Sequence, residues 1–404
     1  MLRVFNTLGK KLEVFRPVRH RRADVFTCGP SVYQRSHIGN FRTFLFEDVL
    51  VRYLEYSGLP VKRGMNLTDI EDKAFEEAKK RKMSVKVLTG RNIKSFLQEM
   101  KLLKMKIPDY LPRASEAVDE VVRIIRELLD RKIAYWYRGN VYFDPLKYPR
   151  FGELYGLDMT RWPLKRKRFH KDTYPGMRWN LGDFVLWHGY KEGELGWDTP
   201  IGRGRPSWNI QDASLVLKHY RGTLSIYCGG IDNLFRHHDY TRAIVESVRP
   251  YPMARFWLHC HHLVVEGQKM SKSKGNIYYV EDLLGDGYTA DEIRFFLIYG
   301  HYRKKLNYTK ENVESAAERL RNLRRKMEMM RRKTGRKSEV DREVLKGVKD
   351  AFQRGMDDDL NVEKAFDQLH AFIDGIELEA LRPEAACGLI KGLRQIDEVL
   401  KVLF

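Results

Sequence analysis

Cysteine is scarce in this chain. Four occur in 404 residues (Cys28, Cys228, Cys260 and Cys387), and none pair at CxxC spacing. That argues against a disulfide framework and leaves each as a small buried hydrophobe by default. Long apolar runs are missing too. No window approaches the roughly 18 uninterrupted apolar residues that suggest a membrane-crossing helix. The opening residues, MLRVFNTLGKKLEVF, lack an apolar stretch followed by a small-residue cleavage site. No signal peptide is read, and a cytoplasmic protein with no membrane partner is expected. Internal repeats are absent as well.

What is present can build a core: 43% of the residues are hydrophobic, in a chain long enough for two or three domains. The formal net charge is +20. Such a surplus favours a polyanionic partner, because each neutralised phosphate releases a counterion. A solvated, charge-rich surface of the thermophile kind carries a similar surplus. Charge alone does not choose between them.

Residues 24–27 (DVFT) read as a short strand running into the turn Cys28-Gly29-Pro30. From Gly39 the apolar spacing is helical, residues 61–67 read as a second strand, and another helix opens at Asp69. This alternation predicts an α/β fold, a doubly wound parallel sheet. Residues 116–200 interrupt it with a helix at 117–131, the hairpin-like YWYRGNVYFD and a basic tract at 161–178. Strand logic resumes at 223–227, and FWLHCHHLVVEGQ reads as a hairpin. Beyond about residue 305 the pattern is all helical, with a long basic helix at 311–333, a helix after Met356-Asp357-Asp358-Asp359 and a last one at 388–403. The expected division is 1–115 and 201–304 as two halves of one Rossmann-like domain, 116–200 as an insertion, and 305–404 as a helical bundle.

Two motifs carry chemistry. Ser36-His37-Ile38-Gly39-Asn40 lies between a strand and a helix. There glycine admits a phosphate, the helix start favours anions, and a histidine can donate to phosphate oxygen. Lys269-Met270-Ser271-Lys272-Ser273 puts lysines on a loop, where they can stabilise charge developing on a pyrophosphate leaving group. Either stretch alone could be an ordinary surface turn.

Together, HIGN and KMSKS, about 230 residues apart, resemble the HIGH and KMSKS signatures of class I aminoacyl-tRNA synthetases. TCGPSVYQRSHIGN, MNLTDIEDK, DFVLW, GRPSW, GGIDNLFRHH and MDDDLN, in that order, are similar to cysteinyl-tRNA synthetases. The resemblance implies a HUP-type nucleotide-binding fold and a ligase that activates an amino acid with ATP and Mg²⁺, then charges tRNA. It implies that His37 and Asn40 face the ATP phosphates and ribose. Gly39, Gly229, Gly230 and Asp232 would border the nucleotide. Lys269 and Lys272, with Met270, Ser271 and Ser273, would stabilise the pyrophosphate, and Trp208 would wall the amino-acid pocket, with cysteine the favoured substrate.

The chain departs from that family in the zinc site that grips the substrate thiolate. The four ligand positions fall on Cys28, Asp212, His237 and Thr241; a sulfur and a carboxylate of the family pattern are replaced. Threonine is a poor zinc ligand, so well under one zinc per chain is expected, with His238, Asp239 and Cys228 as nearby substitutes. Asn209 and Tyr227-Cys228 also differ from the family at the pocket. Without zinc, packing separates near-isosteres by only about 10–200-fold, so the amino acid could have changed. The family's small C-terminal anticodon-binding domain is not matched, and weak anticodon reading is expected. Alternatives are a paralogous ligase with another acceptor, such as an amino sugar or carrier, and an inactive tRNA-binding relative.

Overall fold

The computed structural model describes residues 1–158, 183–271, 274–335 and 339–404. The basic tract at 161–178, Lys272 and Ser273 lie outside the described residues.

A short antiparallel hairpin, β1 (Arg3–Asn6) and β2 (Lys11–Val14), precedes the central sheet. That sheet begins with β3 (Ala23–Thr27), whose five residues are all buried. Helix α1 (Ile38–Tyr56) crosses to β4 (Val61–Met65), which pairs parallel with β3. The next helices are α2 (Asp72–Lys80), α3 (Val85–Leu102) and α4 (Val118–Asp130). A second small sheet follows, built from β5 (Ala134–Tyr137), β6 (Asn140–Phe143), β7 (Phe184–Gly189) and β8 (Gly204–Pro206). Its first hairpin turns on Arg138 and Gly139, both at positive φ, as a two-residue turn of matching twist requires. This sheet draws in residues past 200.

Helix α5 (Trp208–His219) then leads to β9 (Leu224–Gly230), and α6 (Tyr240–Val248) to β10 (Ala254–Cys260). The sheet order is β10-β9-β3-β4, parallel throughout. Strands from both sides of the interruption therefore share one sheet. They are nearly all buried, so they read as continuous apolar runs rather than alternating ones.

The expected hairpin at FWLHCHHLVVEGQ does not form as one unit. β10 ends in the parallel sheet, whereas β11 (Leu263–Val265) joins a different sheet with β12 (Gln268–Lys269) and β13 (Leu306–Tyr308). The tight turn is Glu266-Gly267, both at positive φ. β13 also corrects the all-helical reading beyond residue 305. Three isolated strand residues carry no periodicity of their own; only pairing with β11 makes them a strand.

Helices α7 (Val280–Gly285), α8 (Ala290–Ile298), α9 (Lys310–Lys333), α10 (Arg342–Met356), α11 (Val362–Asp374) and α12 (Pro383–Leu400) complete the described elements. Asn361 caps α11 by accepting from Lys364 N, and Asp341 caps α10. One apolar core runs without a break from Leu45 and Leu50 of α1 through Phe295 of α8 to Leu393 and Leu400 of α12. A second core joins α4, α5 and α6 to the small sheet.

Candidate active site

A cavity of about 800 Å³ opens where β3 and β9 end. In parallel α/β sheets this edge collects the helix starts and loop residues that bind ligands.

At one side stands the start of α1. His37 is its N-cap: its Nδ1 accepts from Asn40 N at 3.3 Å, and Asn40 Oδ1 accepts from His37 N at 3.1 Å. Burial pushes the His37 pKa down to about 4, against a smaller opposing effect of Asp232. The ring is therefore neutral near pH 7. With Nδ1 accepting, its proton resides on Nε2, which makes His37 a donor. A Cβ on Gly39 would lie 3.0 Å from two atoms of the His37 ring and 3.7 Å from Met270 Sδ. Glycine at 39 thus lets the ring fold back over the helix start. The first turn of α1 carries no acidic residue, so the positive end of its dipole is not neutralised.

Lys269 lines the same cavity, as do Gly230 and Asp232. Asn276 braces the lysine loop: its Oδ1 accepts from Ser271 N at 2.9 Å and its amide donates to Lys269 O at 3.3 Å. Arg35, Lys73 and Arg236 also line the cavity, which the sequence reading did not single out. So does Glu71, whose pKa burial pushes up to about 7. They lie in the stretches TCGPSVYQRSHIGN, MNLTDIEDK and GGIDNLFRHH, which carry the resemblance without assigning these side chains a role; the topology brings them together.

The far end of the cavity is floored by Cys28 and His237, with Trp208 stacked on the His237 ring at 4.2 Å and 8°. Beneath the floor lies a buried polar cluster. Cys28 Sγ is 3.2 Å from Asp212 Oδ2 and 3.1 Å from His238 Nε2. Asp212 Oδ2 also bonds His237 Nε2 at 2.9 Å and accepts from the Tyr227 hydroxyl at 2.6 Å. Burial, then the neighbouring Asp212 charge, pushes the Cys28 thiol well up. Burial would raise Asp212 too, but the His237 charge and the bonds from His237, Tyr227 and Cys28 hold it below the usual carboxylate range. Burial pushes the rings of His238 and His259 down, His259 to about 3, so both are neutral.

Of the residues expected from the resemblance, Cys28, His37, Asn40, Trp208, Gly230, Asp232, His237 and Lys269 line this one cavity. Asp212 lies below its floor. Two placements differ. Asn209 is turned away, donating to Val185 O at 3.0 Å and tying α5 to β7. The Thr241 hydroxyl donates to His237 O at 2.8 Å, one helical turn back. Asp239 accepts from the backbone N–H groups of Gly152 and Tyr155, away from the floor. His259, which no sequence signal marked, supports His238.

Comparison with known proteins gives this arrangement a class and then a family. The fold matches a solved class I enzyme, the Mycobacterium tuberculosis methionyl-tRNA synthetase in complex with methionyl-adenylate, with a TM-score of 0.67. That match covers 94% of this chain and 92% of that one at 14% identity, which speaks for the fold alone. Residues 14–318 match the family model "tRNA synthetases class I (C) catalytic domain". The cysteine–tRNA ligase of Chlamydia muridarum is 35% identical over 99% of this chain and 87% of that protein. That of Solibacter usitatus is 37% identical over the same shares. The chain belongs to the cysteinyl-tRNA synthetase family, and it is an aminoacyl-tRNA ligase. Among the described residues, no helix is long and apolar enough to cross a membrane.

Proposed function

We propose that this cavity activates cysteine with ATP and transfers it to tRNA. The observation that carries the reading is that one cavity joins a donor-rich helix start, with His37 and Lys269, to a floor of Cys28, His237 and Trp208. The triphosphate lies along the α1 start and Lys269, with the His37 Nε2–H as a donor. The adenosine lies by Gly230 and Asp232. The amino acid lies against Trp208 with its side chain on the floor.

A carboxylate oxygen of the amino acid attacks the α-phosphorus and pyrophosphate leaves. A ribose hydroxyl at the tRNA 3′ end then attacks the acyl carbon and AMP leaves. Mg²⁺ accompanying ATP supplies charge neutralisation on the phosphates. Zinc, which the family implies, would be held at Cys28 and His237 and would supply a soft partner for the substrate sulfur. Fixed cations and N–H donors matter most at the leaving pyrophosphate, because charge builds there in the transition state.

ATP–pyrophosphate exchange across the twenty amino acids tests this without tRNA. Cysteine is expected to drive exchange above all others. A different preferred amino acid would establish the second reading, a changed specificity, which the placement of Asp212 and Tyr227 directly beneath the floor, bonded to Cys28 and His237, favours. Lys272→Ala should slow exchange by about 10²–10³-fold, the usual effect of losing one preorganised electrostatic donor. Exchange at the wild-type rate would remove the lysine loop from the mechanism.

A further inference from the structure

Two stretches leave the central sheet side by side and build one wall of the cavity. Residues 28–32, which follow β3, run beside residues 66–68, which follow β4. Gly29 N donates to Asn66 Oδ1 at 2.6 Å, Thr68 N to Pro30 O at 3.0 Å and Val32 N to Thr68 O at 3.0 Å. A Cβ on Gly29 would lie 1.8 Å from Asn66 O, so only glycine allows this approach. The wall therefore has Cys28 of the floor at one end and Ser31 at the other. The Ser31 side chain hydrogen-bonds the carboxyl of Glu71, which lines the same cavity.

Glu71 does not do what its position suggests. It is the N-cap of α2, where a side-chain oxygen usually accepts from the first-turn N–H groups, yet its carboxyl makes no such bond. Its Oε1 is buried with no hydrogen-bond partner. An unpaired buried polar atom is costly, so an oxygen left bare in a ligand cavity indicates a donor that arrives with the ligand. Among the described residues, the other two carboxylates lining the cavity are engaged elsewhere. Arg205 holds Asp72. Asp232 stands beside Gly230, where an added Cβ would lie 2.6 Å from its Oδ1, and its charge acts on His37. The cations lining the cavity, Arg35, Lys73, Arg205, Arg236 and Lys269, suit a triphosphate and repel an ammonium. An amino acid with a neutral side chain brings one cation, its α-ammonium, and burying that charge without a partner is expensive.

We propose that Glu71 is a substrate-binding residue whose bare carboxylate oxygen accepts from the α-ammonium of the amino acid. This rests on the reading that the cavity activates an amino acid, but not on which one. With the ammonium at Glu71 and the side chain on the floor, two corners of the substrate are fixed. Its carboxylate is then left to face the α1 start and Lys269. The Glu71 carboxyl must be ionised for this. Burial, against the Ser31 hydrogen bond and the Lys73 charge, pushes its pKa up to about 7. Asp72 and Lys73 are its charged neighbours on α2, and Tyr33 is the titratable group facing it from the segment before α1. The Lys73 ammonium lies 5.4 Å over the Tyr33 ring rather than bonded to the carboxyl. As pH falls through 7 the carboxyl gains a proton and the anchor is lost.

The test is ATP–pyrophosphate exchange by the full chain with whichever amino acid drives it best. Glu71→Gln keeps the shape and removes the charge. It should raise KM for the amino acid by about 10–100-fold, the factor for losing a charged hydrogen bond, and leave KM for ATP near the wild-type value. Glu71→Asp keeps the charge on a shorter stem and should recover part of the loss. In the wild type, kcat/KM for the amino acid reports the free enzyme and should fall about tenfold per pH unit below pH 7. Glu71→Gln should lose that acid limb. The substrate's analogue without its amino group, used as an inhibitor, should bind wild type and Glu71→Gln alike. An unchanged KM for the amino acid in Glu71→Gln overturns the proposal, and so does a wild type without an acid limb. A parallel rise in KM for ATP, or an equal loss of affinity for the analogue, marks Glu71 as merely structural and overturns it too. Exchange with none of the twenty amino acids is a different failure, because it removes the activation reading itself.

Discussion

Asp48→Ala is expected to destabilise the chain by about 3–5 kcal/mol, the range for breaking a buried charge pair. Asp48 on α1 and Arg294 on α8 both have no exposed side-chain surface and are 2.7 Å apart. Asp48 Oδ2 also accepts from Arg52 at 2.9 Å, and its Oδ1 accepts from Lys106 N at 2.7 Å. Arg294 in turn donates to Leu103 O and Leu400 O, each at 2.7 Å. One carboxylate therefore ties the nucleotide-binding sheet's first helix to the end of the helical region. Removing it leaves a buried guanidinium without its counter-charge. Urea denaturation should show the midpoint falling; a shift under about 1 kcal/mol, the worth of an exposed pair, would contradict this account.

The same group gives a pH dependence of known sign. Burial alone would raise the Asp48 pKa, but Arg294, Arg52 and Arg63 together hold it below the usual value. A depressed folded pKa stabilises fully above the unfolded value of about 3.9 and is lost as pH falls through the folded one. The gap between wild type and Asp48→Ala should therefore narrow in acid.

Binding of tRNA should weaken by about 10³–10⁵-fold between 50 and 200 mM salt, if about 6–10 phosphates are contacted. The motive is a net charge of +20 and the exposed Arg325, Arg331, Arg332 and Lys333 on α9. Arg325 faces Glu318 at 3.8 Å with both side chains about two-thirds exposed. Such a pair holds its cation only weakly, so the arginine can exchange partners for a phosphate. Filter binding across a salt series measures the slope. A flat response would favour a small-molecule acceptor.

The sequence by itself determined the class of protein and most of its elements. HIGN and KMSKS mark sites where backbone geometry and fixed charge matter more than packing, so the residue types themselves carry the signal. Strand β3 and helices α1 and α9 were legible because a period of apolar residues is a local property. Only the tertiary structure decided the rest. β13 is a strand because β11 lies beside it, and β11 leaves the parallel sheet although it follows β10 by two residues. Thr241 and Asn209 stand at family pocket positions, yet short side chains take the nearest backbone carbonyl. Cys28 and His238 are 210 residues apart, and His238 and Thr7 meet only through His259. Which buried polar groups face one another depends on how the strands stack and where a turn widens. No local pattern encodes that: the resemblance marked Cys28, Trp208 and His237 of the floor, whereas the support of His259 and Thr7 beneath it became visible only once the chain was folded.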